Sequence, residues 1–161
     1  VEALGSLFEH SPWVVRRAFA MGPFADEEAL IAACGAVLAA AAPEERLGLI
    51  RAHPELAGKA LAEGALTAAS TAEQQTAGLD RLTPSEFERL GALNAAYGRR
   101  FGFPFVICVR RSEKALIFSA LERRLDQTVE SETETALQEI LAIGRLRLAD
   151  RLAGAGAGRG P

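Results

Sequence analysis

Signals that open α-helices recur along this chain, and they constrain its fold more than any other feature. Ser11-Pro12 pairs an N-cap residue with proline at the first helical position, opening a segment through Ala20. Asp26 can cap the next, which carries Leu30, Ile31, Val37 and Leu38 before Pro43 restarts the chain. Three stretches, Ser70 to Glu73, Thr83 to Glu86 and Ser131 to Glu134, have the capping-box pattern, in which a hydroxyl and a glutamate three residues on satisfy each other's backbone N–H. The Thr83 segment is the clearest, with Phe87, Leu90, Leu93, Asn94 and Tyr97 at helical spacing. A short helix through Leu61, broken at Gly64, fits between the second and third of these groups of signals.

Composition agrees. Alanine fills about a fifth of the 161 residues, while aromatic and β-branched residues are sparse, a balance that favours helix over sheet. Phe103 to Val109 is the one β-like stretch, but a lone strand has no partner and Pro104 weakens it, so a buried extended segment is expected there. Two helices close the chain, one from Ser112 to Leu125 and one from Ser131 to Leu152, the latter with Leu137, Ile140, Leu141, Leu148 and Leu152 inward. The expected fold is all-α: a single compact multi-helix domain over residues 1–153, followed by a disordered Gly/Ala-rich tail over 154–161.

The charge balance of 18 basic and 21 acidic residues creates no field that would draw the chain to nucleic acid or an anionic membrane. No apolar run approaches the ~20 residues needed to cross a bilayer. Cys34 and Cys108 stand in apolar surroundings without CxxC spacing, which fits reduced buried thiols and a cytoplasmic setting. Two histidines and two scattered cysteines provide no metal-ligand spacing, and no GxSxG, P-loop or GxGxxG is present. No metal site is expected.

Against that background His53 stands out. Proline disfavours α geometry in the residue before it, so the helix from Pro43 should end near His53, at an exit where the side chain can be aimed into a cleft. Imidazole exchanges protons near neutral pH, which makes His53 the candidate general acid or base. Glu73 can orient or charge an imidazole, yet it also stands third after Ser70, where a capping glutamate belongs, and its position fits both roles. Gln74 offers donor and acceptor to a polar heterocycle. Phe101-Gly102-Phe103-Pro104-Phe105 reads as an aromatic wall or as ordinary core.

Taken together, HPELAG from His53, SxxEQxxAGL from Ser70 to Leu79, LNAAYGRRFGFPFVICVR from Leu93 and IGRLRLADRL from Ile143 resemble the 2-oxo-4-hydroxy-4-carboxy-5-ureidoimidazoline (OHCU) decarboxylase family of urate breakdown. The resemblance spans nearly the whole chain except the tail. It implies an all-helical, cofactor-free, homodimeric enzyme that converts OHCU to (S)-allantoin with loss of carbon dioxide. By motif, His53 matches the family's proton donor and Glu73 its catalytic glutamate. Pro54, Ser70, Thr71, Ala72 and Gln74 match substrate-contacting positions, and Phe105, Val106, Ile107, Cys108 and Val109 match the pocket wall. Glu55 stands where many members have aspartate. The C-terminal Arg-Gly-Pro is no peroxisomal address, which fits bacterial cytoplasm. Two alternatives stay open on the residues alone: a non-catalytic helical module that binds a small ligand or peptide, and a decarboxylase of a related ureido or imidazoline acid. Arg110, Arg145 and Arg147 are undecided between anion binding and surface roles.

Overall fold

The computed structural model describes residues 4–58 and 63–157. Seven α-helices run through them: α1 (Pro12–Phe19), α2 (Glu27–Ala40), α3 (Pro43–Arg51), α4 (Ala68–Thr76), α5 (Pro84–Phe101), α6 (Lys114–Arg124) and α7 (Val129–Ala157), with a 3-10 turn at Val109–Arg111. No strand occurs among the described residues. The expected short helix through Leu61 falls outside them.

Most of the expected helix starts are where the residue types put them. Ser11 precedes α1 with Pro12 at its first position, and the Asp26 carboxylate accepts from the Ala29 N–H at 2.8 Å. Thr83 and Glu86 form a complete capping box at α5. Two expected boxes are displaced by one turn. Thr67, not Ser70, caps α4, its hydroxyl accepting from the Ser70 N–H at 3.3 Å. Likewise the Thr128 hydroxyl accepts from the Ser131 N–H at 3.2 Å. In both cases a threonine three residues upstream takes the capping position, so the Ser-x-x-Glu signature lies inside the first turns of the helix.

The chain gathers into two compact units, one formed by the chain up to Ala52 with Leu137 onward, the other by His53 to Ala136. In the first, α1 packs on α2, and the buried set includes Phe8, Val14, Val15, Ile31, Cys34 and Ile140. Phe8 rests on α7 where Gly144 leaves room: a Cβ there would lie 2.8 Å from the ring. Leu141 is half-buried with its side chain against Gly35 of α2, while Leu152 points outward at 49% exposure, against the inward orientation expected for it. α7 itself continues to Ala157, beyond the boundary expected at residue 153, because extending a formed helix through alternating Ala and Gly costs only about 1 kcal/mol per glycine relative to alanine.

The second unit is organised by α5, which turns Leu90, Asn94, Tyr97 and Phe101 inward while Phe87 stays 55% exposed. Gly102 ends it at φ 74°, the left-handed geometry that glycine adopts without strain. Beyond it Phe103 to Cys108 is buried and extended without strand pairing, Pro104 being only half-buried, and the buried Val109 opens the 3-10 turn. Tyr97 meets the rings of Phe101, Phe103 and Phe105 at centroid distances of 4.5, 6.0 and 5.4 Å. The aromatic wall is thus also the core of this unit.

Candidate functional site

α3 ends at Arg51, and the chain leaves it through Ala52 into His53-Pro54, as the proline requires. His53 is only 6% exposed, and Pro54 is half-buried. The turn that follows reaches Ala57 with φ +48°, a conformation that non-glycine residues rarely adopt, so the surroundings must hold it.

Two helices do so. From α4, the Gln74 side-chain oxygen accepts the Ala57 N–H at 2.8 Å. From α5, the Asn94 Nδ2 donates to the Leu56 carbonyl at 3.0 Å. Both amides are buried, and each keeps one polar atom, Gln74 Nε2 and Asn94 Oδ1, with no hydrogen-bond partner among the described residues. Gln74 is therefore engaged through its oxygen, and its NH2 group is what remains to offer a ligand: a donor only.

On α4, Ser70 and Gln74 are four residues apart and both buried, Thr71 and Glu73 are half-buried, and Ala72 is exposed. Ala72 thus lies on the side of α4 opposite Ser70 and Gln74. Glu73 is the sixth residue of the helix, too far along to cap it, and the capping role expected for it falls to Thr67 alone. α4 also packs against the Val109–Arg111 turn, which joins the Ser70 to Gln74 segment to the end of the buried wall.

The wall is anchored by a buried charge network. Arg124 on α6 donates from Nη1 to the Val106 carbonyl at 2.8 Å, and its guanidinium lies 4.5 Å from the Phe105 ring centroid. Its Nε donates to the Glu132 carboxylate, which also accepts the Tyr97 hydroxyl. Burial, and then the hydrogen bond to Glu132, push the Tyr97 hydroxyl well above the usual tyrosine range. Burial likewise raises Cys34 to about 11, which keeps it a thiol. The sequence reading missed Arg124, Glu132 and Asn94 as working parts. Asn94 was at helical spacing with Leu90 and Tyr97, an inward polar residue whose position alone demanded a partner.

Of the three undecided arginines, Arg110 is exposed and Arg145 pairs with Glu28 at the surface, 3.0 Å away. Arg147 is buried in the first unit, where it donates to the Glu9 carboxylate at 3.0 Å and to the Leu7 carbonyl at 3.4 Å. That unit also has a mainly apolar cavity of about 520 Å³ beside Phe19, Phe24 and Leu148, which no candidate site residue lines.

Comparison with known proteins gives the arrangement its context. The chain is 42% identical over 151 residues to the OHCU decarboxylase of Haloferax volcanii, covering 94% of this chain and 88% of that protein. To the OHCU decarboxylase of Mus musculus it is 41% identical over 152 residues, covering 94% and 85%. A crystal structure of (S)-allantoin synthase superposes with a TM-score of 0.69 at 30% identity, covering 91% of this chain and 47% of that one. The helical fold and these relatives define an all-α carboxy-lyase. The chain belongs to the OHCU decarboxylase family, whose model matches residues 1–149. These relatives include an archaeal and a mammalian protein, so family membership does not single out bacteria. None of the described helices is long and apolar enough to cross a membrane.

Proposed function

We propose that this chain decarboxylates OHCU to (S)-allantoin in urate breakdown, with His53 as proton donor and Glu73 beside the departing carboxylate. The observation that carries the reading is the Gln74 to Ala57 hydrogen bond at 2.8 Å, which ties the His53 turn to the helix bearing Glu73. Ser70, Thr71 and the Gln74 NH2 group contact the substrate's polar edge; Ala72, exposed on the opposite side of α4 and with its carbonyl accepting from the Thr76 hydroxyl at 2.8 Å, takes no part in that contact. Pro54 and the stretch Phe105 to Val109 form the pocket around it.

When the bond from the ring carbon to its carboxylate breaks, the electron pair enters the ring π system, which is the electron sink; carbon dioxide leaves, and a ring carbanion remains. The Glu73 carboxylate disfavours the charged ground state by like-charge proximity. His53 then gives its proton to one face of the carbanion, and delivery from one side sets the product's handedness. A positioned acid contributes about 10² to 10⁴ in rate. We read the enzyme as a cytoplasmic homodimer, the resemblance implying the dimer. The exposed Phe87, Leu116 and Val129 are apolar groups that a second copy could cover.

The test is to add the protein to freshly generated OHCU and follow the circular dichroism of allantoin. Accelerated appearance of one enantiomer is expected. No acceleration, with the ligand merely bound, would favour the non-catalytic binding module, and turnover of another ureido acid in preference to OHCU would favour the related decarboxylase.

A further inference from the structure

The peptide unit between Leu56 and Ala57 is held at both ends by side chains from two helices. Its N–H goes to the Gln74 oxygen at 2.8 Å, and its C=O receives the Asn94 amide at 3.0 Å. A trans peptide points these groups in opposite directions, so the two amides grip it from opposite sides. Leu56 and Ala57 are buried, and water cannot readily replace either bond. The gripped unit enters the left-handed residue Ala57, three positions beyond Pro54, and a strained turn persists only where its neighbours over-determine it. The held unit lies three residues along the chain from His53, with Pro54, whose ring fixes φ, between them, so displacement of the turn is passed back toward His53 through a stiffened link.

We propose that Asn94 is a positioning residue for His53, acting through the Leu56 carbonyl to hold the turn that presents the imidazole to substrate. This rests on the reading of His53 as proton donor. The role assigned to Asn94 is exerted through its Nδ2 on the turn, and needs no contact with the reacting atoms. Its Nδ2 fixes the carbonyl while Gln74 fixes the N–H, and loss of either frees the peptide to rotate.

The experiment is a double-mutant cycle on the full chain, with Asn94→Leu, His53→Gln and the pair. For each, kcat and KM are measured on OHCU together with the optical purity of the allantoin, at enzyme concentrations that make the spontaneous reaction negligible. Asn94→Leu keeps the branched outline of the side chain, with methyl groups in place of the amide O and N, and removes the donor. It is expected to lower kcat by about 10² with a smaller change in KM, as misplacement of a reacting group by ~1 Å does. Its product should be less enantiopure, and it should add no further loss of kcat to His53→Gln, since residues that act as a unit are not additive. Overturning results are a kcat within twofold of the parent, or losses that multiply in the double variant. If His53→Gln alone retains the parent kcat, it is the proton-donor reading that fails, and the proposal with it. If the parent falls with His53→Gln but not with Asn94→Leu, only the positioning proposal fails. Should Asn94→Leu not fold at the assay temperature, Asn94→Ser, which leaves room for a water at the Leu56 carbonyl, is read through the same cycle and against the same outcomes.

Discussion

Arg124 and Glu132 form an ion pair with both side chains withdrawn from water, and the same guanidinium holds the Val106 carbonyl of the buried wall. Removing one partner strands the other charge. Arg124→Leu should therefore destabilise the protein by about 3–5 kcal/mol. Arg124→Leu combined with Glu132→Leu should cost less than the sum of the single changes, because the uncompensated charge disappears. Urea unfolding of the three variants checks this. Additive losses would show that the pair is not energetically coupled.

Gly144 allows α7 to approach Phe8, and a Cβ would sit 2.8 and 2.9 Å from two ring carbons. The gain in helix propensity from Gly144→Ala, about 1 kcal/mol, is opposed by overpacking of about 1–3 kcal/mol. The ring has no flexible end to withdraw, so net destabilisation is expected. Thermal unfolding should show a lowered Tm that Phe8→Leu partly restores in the double variant.

α4 separates capping from chemistry, since Thr67 is the cap and Glu73 lies two turns in. Thr67→Ala should cost about 1 kcal/mol of stability. Glu73→Gln should cost less than that, yet lower turnover by about 10². The two quantities come from denaturant melts and OHCU turnover on the same preparations. Unaltered turnover in Glu73→Gln would remove Glu73 from the mechanism.

Much of this was legible in the residue types, and the exceptions have physical reasons. Asp26 and the Thr83 box mark helix starts because each satisfies backbone donors locally, and Pro43 because it has no N–H to satisfy and a φ preset for the helix, with no help from the rest of the chain. Ser70 and Ser131 misled because a hydroxyl followed by glutamate also fits the interior of a first turn when threonine precedes it by three. His53 was found through its proline neighbour, a local effect. Asn94 and Arg124 were not, since their partners, Leu56 and Glu132, lie 38 and 8 residues away and only folding brings them together.

Glu45 and Glu86 titrate below the usual carboxylate range, Glu45 chiefly through its hydrogen bond from Arg17 and then from the Ala42 N–H, Glu86 chiefly through Lys114 and then the Thr83 N–H. A depressed folded-state pKa gives stability that is present above the unfolded value, about 4.3, and is lost as pH falls through the folded one. Tm should therefore hold level from neutral pH to about 5 and decline below about 4. Glu86→Gln should flatten part of that decline, as followed by thermal melts in acetate and citrate buffers. Both side chains are at the surface, so the effect should shrink in high salt.

The central claim is that His53 hands a proton to one face of a carbanion formed by decarboxylation. Its most direct measurement is the rate and optical purity of allantoin made from OHCU by His53→Ala. The account predicts a rate lower by about 10² to 10⁴ and a residual product that is no longer one enantiomer. An undiminished rate giving fully enantiopure (S)-allantoin would contradict it.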